Sequence, residues 1–243
     1  MFSKAWKNQR FSFPTLGKRA VLDTAAPHRY LTRMKNPLLL DHALAQHHLT
    51  TLRDASTPPE EFRRVVHRLT LLLAAEATRD LATKSVRVRT PLATAPGARL
   101  REHVGLVPIL RAGLGMMDAV LELLPEAEVW HLGVYRNEHT LQPVEYYKKF
   151  QHARPVDTAL VLDPMLATGG SALAALEALA GWGVRRVKLL ALIAAPEGLR
   201  KVRAAFPDTQ IYLAALDRRL NARGYILPGL GDAGDRMFNA RAS

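Results

Sequence analysis

The sequence predicts an α/β fold: a central, mostly parallel β-sheet flanked by helices. Three observations predict it. Beyond residue 103, short apolar runs alternate with stretches of helical period, the pattern of strands joined by crossover helices. Polar, glycine-bearing motifs fall immediately after several of those runs, and folds of this kind bind ligands at the carboxyl ends of their strands. A chain of 243 residues with 48% hydrophobic content and a mean hydropathy of −0.06 also has the length to bury one sizeable core.

The elements follow in order. Residues 1–33 show no sustained period and are broken by Pro14, Gly17 and Pro27. Helical spacing runs from Leu38 to Leu52. The Asp41-His42 and His47-His48 pairs on it have no cysteine or acidic cluster to complete a metal site, so they read as solvated or subunit-contacting side chains. Thr57 and Glu60 have the spacing of a capping box, and Phe62, Val65, Val66, Leu69, Leu72 and Leu73 carry a helix on to about Leu81. Val86–Arg89 alternates as a half-exposed strand. Val104–Leu110 reads as a buried strand, Leu114–Leu124 as a helix and Glu128–Tyr135 as a strand. Val144–Phe150 returns as the second arm of a long hairpin. Ala159–Leu162 is a buried strand and Ser171–Ala180 a helix. Val187–Ala194, Gly198–Ala205 and Ile211–Leu216 then read as strand, helix and strand.

Composition narrows the function. There is no cysteine, which excludes disulfides and thiol catalysis and suits a reducing compartment. No apolar run approaches the ~20 residues of a membrane span. The formal net charge is +12, and half of it arises in residues 1–33, where seven basic residues face Asp23 alone. The remainder suits an enzyme with a polyanionic substrate.

The richest motif is Asp163-Pro164-Met165-Leu166-Ala167-Thr168-Gly169-Gly170-Ser171. A strand, a tight loop and a helix N-terminus make a phosphate cradle: N–H groups at Ala167–Ser171 would point at an anion, favoured by the helix dipole. Gly169 and Gly170 permit close backbone approach, and Thr168 and Ser171 add hydroxyl donors. Asp163, at the strand end, suits sugar hydroxyls or a metal ion beside them. No lysine follows the glycines as a Walker A loop requires.

This motif resembles the phosphoribosyl pyrophosphate (PRPP) loop of type I phosphoribosyltransferases, in the form found in the uracil phosphoribosyltransferase family. Many of the wider group carry two adjacent acids here, where this chain has Pro164. Two further segments resemble the family in the expected order. Pro108-Ile-Leu-Arg-Ala-Gly113 matches the pyrophosphate loop and implies that Arg111 contacts PRPP, where a guanidinium can grip oxygens with two bonds. Gly224-Tyr-Ile-Leu-Pro-Gly-Leu-Gly-Asp-Ala-Gly-Asp-Arg-Met-Phe238 resembles the uracil-binding segment. It implies that Ile226, Gly231, Asp232 and Ala233 hold the base, with Asp232 also reaching PRPP. Backbone groups could read the alternating acceptors and donors of uracil, and cytosine would leave buried groups unpaired at roughly 1–3 kcal/mol each.

The resemblance covers Met34 to Phe238 and implies one phosphoribosyltransferase domain over residues 34–243. It implies a β-hairpin hood, with Arg136 at a PRPP-contacting position, and an N-terminal helical arm. The implied reaction is uracil + PRPP → UMP + diphosphate, with catalysis by Arg111, Arg136 and Asp163. Mg²⁺ would be held mainly through PRPP and water, supported by Asp163 and Asp232. A cytoplasmic homodimer or higher homo-oligomer is expected, with GTP as a candidate effector and neither membrane nor nucleic acid as a partner. Two alternatives stay open on sequence: a transferase for another base, and an RNA-binding regulator built on the same fold. Residues 1–33 fit a start-site artefact, a flexible arm, or a transit or nucleic-acid-binding segment.

Overall fold

The computed structural model describes residues 37–136, 143–148 and 154–240. The basic extension lies outside the described residues. Strand β1 (Leu38–Leu39) opens the fold and is followed by helices α1 (Ala43–Arg53) and α2 (Pro59–Ala77). Strands β2 (Thr83–Arg89) and β3 (Thr94–Leu100) form an antiparallel ribbon. Then come β4 (Val104–Leu110), α3 (Leu114–Leu123), β5 (Glu128–Val129), β6 (Leu132–Arg136), β7 (Pro143–Lys148), β8 (Thr158–Leu162) and β9 (Met165–Leu166). The chain continues through α4 (Gly170–Trp182), β10 (Arg186–Ala194), α5 (Pro196–Ala205), β11 (Gln210–Leu216), β12 (Arg219–Leu220), β13 (Ile226–Leu227) and α6 (Ala233–Phe238).

The main sheet runs β1-β11-β10-β8-β4-β6-β7, with β5 beside β4 and β9 beside β10. Every pairing in it is parallel except β6 with β7. The first crossover, through α3, leads from β4 to β6 on one side. Those through α4 and α5 lead from β8 to β10 and β11 on the other. The direction of winding therefore reverses between β4 and β8, and at such a switch point the crevice beyond the strand ends is open to a ligand.

Alternate residues of the central strands face opposite layers. Leu106, Leu160, Leu190 and Tyr212 pack with Phe62, Leu69 and Met116 from α2 and α3. Val107, Val161, Leu189 and Leu213 pack with Ala175, Leu179 and Val202 from α4 and α5. At the amino end of the sheet, Lys188 is fully buried and bonds Ala77 O and Asp80. Arg186 joins Asp80 to Glu102, which in turn accepts from Thr158. Among the described residues, no helix is long and apolar enough to cross a membrane.

Several sequence expectations need correction. Leu38 and Leu39 pair with Tyr212 and Leu213 of β11 instead of opening a helix; α1 starts later, capped by His42 Nδ1, which accepts from Leu44 N. The Thr57–Glu60 capping box does not form. Pro59 disfavours helical backbone at Pro58, which is extended at ψ 156°, so Pro59 becomes the first helical residue. Thr57 Oγ1 donates to Thr51 O at 2.6 Å instead. Helix α2 ends at Ala77, four residues early, where Thr78 Oγ1 turns back to Ala74 O. Strand β3, with Pro96 and Gly97 inside it, lacks strand propensity and was not expected. The stretch Glu128–Tyr135 splits into β5 and β6. The hairpin itself forms, with β7 beginning at Pro143 and antiparallel to β6.

Candidate active site

The cradle begins where β8 ends. Asp163 N donates to Leu190 O, and Asp163 Oδ1 accepts from Met165 N at 3.2 Å. Burial pushes this carboxyl up to about 6, against the Met165 bond, which lowers it. The next residues are a scaffold. Pro164 O accepts from Leu192 and Ile193, Leu166 O from Ala195, and Met165 and Leu166 pair with β10. Ala167 N–H is spent on Met165 O, so the anion-facing amides begin one residue later than expected, at Thr168. Among the described residues, nothing accepts from the N–H groups of Thr168, Gly169, Gly170 or Ser171.

Helix α4 starts with Gly169 as N-cap at φ 78°, with no side-chain cap and no acid in its first turn. Its positive end is thus left for a ligand. The sequence did not single out Gly198, on α5, which seats this loop. A Cβ there would lie 2.3 Å from Ala167 O, and Gly198 O is the nearest atom to a Cβ built at Gly169.

The Arg111 turn abuts the cradle. Gly113 approaches so closely that a Cβ on it would lie 2.4 Å from Leu162 O, the carbonyl just before Asp163. The Arg111 side chain is 61% exposed, and its Nη2 donates to Asp235 Oδ1 at 3.1 Å. It was expected to reach a pyrophosphate; here it meets a carboxylate of the third motif. Arg136 ends β6, opposite Pro143, but its side chain lies outside the described residues, as does the hairpin tip.

The third motif folds as two short strands, a tight turn and a short helix. Strands β12 and β13 pair, a cis Leu227–Pro228 peptide follows, and Gly229 and Gly231 take φ of 67° and 79°. Asp232 then caps α6 by accepting from Asp235 N at 2.9 Å. Ile226 and Ala233 are buried, while Gly231 and Asp232 are exposed. Asp235 was within the motif but had no role assigned to it. The structure thus brings the Arg111 turn, the 163–171 loop and the start of α6 together by the carboxyl ends of β4 and β8. Among the described residues, no three His, Asp or Glu side chains gather as a metal cage.

Comparison with known proteins identifies the family. The family model for uracil phosphoribosyltransferase matches residues 39–240. The uracil phosphoribosyltransferase of Roseiflexus castenholzii is 56% identical over 205 residues, 84% of this chain and 99% of that protein. The one from Symbiobacterium thermophilum is 54% identical over 209 residues, 86% of this chain and all of that one. The solved structure of the AQ2163 protein from Aquifex aeolicus superposes with a TM-score of 0.80 at 37% identity, covering 85% of this chain and 99% of that one.

Proposed function

The chain belongs to the uracil phosphoribosyltransferase family, and from that premise we propose how its residues divide the work. The protein is an enzyme that converts uracil and PRPP to UMP and diphosphate. The uracil N1–ribose C1′ bond forms as the C1′–O bond to diphosphate breaks. The electron pair leaves with the diphosphate, and the N1 proton goes to solvent.

In our reading the N–H groups of Thr168–Ser171 and the end of α4 hold the 5′-phosphate. Asp163, ionised, accepts from the ribose hydroxyls. Arg111 exchanges Asp235 for the pyrophosphate, neutralising charge as it develops, and Arg136 assists from the hairpin. Ile226, Gly231, Asp232 and Ala233 hold uracil. Catalysis is then positional and electrostatic, with no covalent nucleophile. The carrying observation is the convergence of three motifs at the switch point, with Arg111 Nη2 only 3.1 Å from Asp235.

Mg²⁺, when bound, would supply charge neutralisation on the diphosphate. The donors fit an ion that arrives with PRPP: Asp163 and Asp232 each commit Oδ1 to a backbone N–H, and each keeps a second oxygen to support it.

Assembly as a homodimer or larger is favoured by the β2–β3 ribbon, which is largely exposed and bears Leu92 at 97% exposure. GTP belongs among the effectors to test. The decisive experiment is uracil-dependent pyrophosphate release from PRPP, with and without Mg²⁺. Competition by cytosine and hypoxanthine tests the base. Equal turnover of hypoxanthine, or RNA binding without turnover, would overturn the reading.

A further inference from the structure

We propose that Arg53, Asp217 and Arg236 are positioning residues for base recognition, locking the backbone of the turn that carries the uracil contacts. The proposal rests on the reading that residues 226–233 hold the base.

Arg53 is the last residue of α1, and Asp217 follows β11 directly. Their side chains form a fork: Nη2 donates to Oδ1 at 2.6 Å and Nη1 to Oδ2 at 2.9 Å. The same Nη1 donates to Gly229 O at 2.8 Å, and Gly229 N–H donates to Asp217 Oδ2 at 2.9 Å. Both polar groups of one glycine are therefore held by a single ion pair. Asp217 is 4% exposed and Arg53 27%. Such a pair is an expensive way merely to hold α1 on the sheet, because an apolar pair would do so without desolvating two charges. What an apolar pair cannot do is grip a peptide group by both ends.

Gly229 transmits the grip. At φ 67° it folds the turn so tightly that a Cβ would sit 2.1 Å from Ile226 O. Moving Gly229 therefore moves Ile226, and Gly231 lies only two residues on. The next carbonyl is held as well: Arg236 Nη1 donates to Leu230 O at 2.8 Å and to Leu52 O, while Nη2 donates to Asp54 O at 2.5 Å. Its guanidinium stacks 4.3 Å from the Phe62 ring centroid. Leu52 and Asp54 lie at the carboxyl end of α1, where the final carbonyls lack helical partners and favour a cation. The end of α1 is thus the support on which the base turn rests, and none of the three side chains need touch the base.

The test uses the full chain and steady-state kinetics. Arg53→Lys keeps the charge but puts one tetrahedral nitrogen in place of the planar fork that spans both Asp217 oxygens and Gly229 O, and Arg236→Lys likewise loses its fan of bonds. Each should raise KM for uracil about tenfold, the equivalent of ~1.4 kcal/mol, with KM for PRPP within about twofold. Asp217→Asn should follow; if it does not fold, the two lysine variants decide. Ala233→Leu probes the base segment directly. If Ala233→Leu leaves uracil kinetics unchanged, the base assignment fails. If it raises KM for uracil but the folded lysine variants do not, the clamp alone is refuted. A parallel rise in both KM values in the lysine variants would mean general loosening and would also refute it.

Discussion

Gly198→Ala should cripple the use of PRPP while leaving the fold intact. The added Cβ would lie 2.3 Å from Ala167 O and 3.0 Å from both Ala167 C and Leu166 O. All three are backbone atoms, so no side chain can swing aside. The contact must open by about 0.7 Å to reach even 3.0 Å, a separation that real Cβ atoms rarely undercut. Overpacking of this kind costs roughly 1–3 kcal/mol. Because α5 is fastened by Leu199 and Val202 in the core, the strain falls on the Ala167 peptide and passes to the amides from Thr168 onward. Misplacement approaching 1 Å at a reacting site costs about 10²-fold. We expect kcat/KM for PRPP to fall ~10–100-fold, measured by pyrophosphate release at saturating uracil. Gly181→Ala is the control: nothing lies within 4 Å of its Cβ, so it should add up to about 1 kcal/mol of stability and leave kinetics unchanged. A folded Gly198→Ala enzyme with wild-type kcat/KM for PRPP would refute the idea that this contact sets the loop.

Asp163 makes both stability and activity pH-dependent, because burial raises its carboxyl to about 6 from 3.8. Its contribution to stability is full below about pH 4 and lost as pH rises through 6, on the order of 3 kcal/mol at most. Asp163→Asn should therefore gain Tm over wild type at pH 7 but not at pH 4. In the wild type, kcat/KM for PRPP should drop about tenfold per unit below pH 6, and a flat profile between pH 7 and 5 would disprove the role. Arg111→Lys should lose at least about tenfold in kcat/KM for PRPP through its missing fork. Its Tm should hardly move, since an exposed pair such as Arg111–Asp235 is worth at most ~1 kcal/mol; wild-type kinetics would remove Arg111 from the site. Asp80→Ala, which strips buried Lys188 of its carboxylate, should cost ~2–3 kcal/mol in urea unfolding, and Lys188→Met much less. The reverse order would contradict this account of the network.

The central strands β4, β8, β10 and β11 were legible because both faces are covered, leaving continuous apolar runs. The three motifs were legible because a ligand crevice concentrates glycines and charges after strands. Most of what escaped was decided by distant partners; the start of α2 was a local miss. Leu38 and Leu39 look helical locally, yet β11 offers them a strand edge. The Thr57 cap matched its pattern, but the next two prolines moved the helix start. Gly198 sat inside a helical run with nothing to mark its packing against Ala167. Arg53 and Asp217, 164 residues apart, carried no joint signal. Asp217 did share one feature with Asp163, an acid directly after a buried strand, and that similarity could have drawn attention to it.

The pairing of β1 with β11 governs how the sheet meets its surroundings. Without β1, the seven-residue strand β11 would present its outer backbone groups unpaired, a template for a strand from another molecule. With Leu38 and Leu39 in register, and Leu40 N–H donating to Leu213 O, the flank of the sheet passes to a strand only two residues long. After Leu40 the chain turns into α1, so there is little left for a foreign strand to copy. Two leucines thus cover the Tyr212–Leu213 stretch of this flank, and a chain trimmed past Leu40 would expose it.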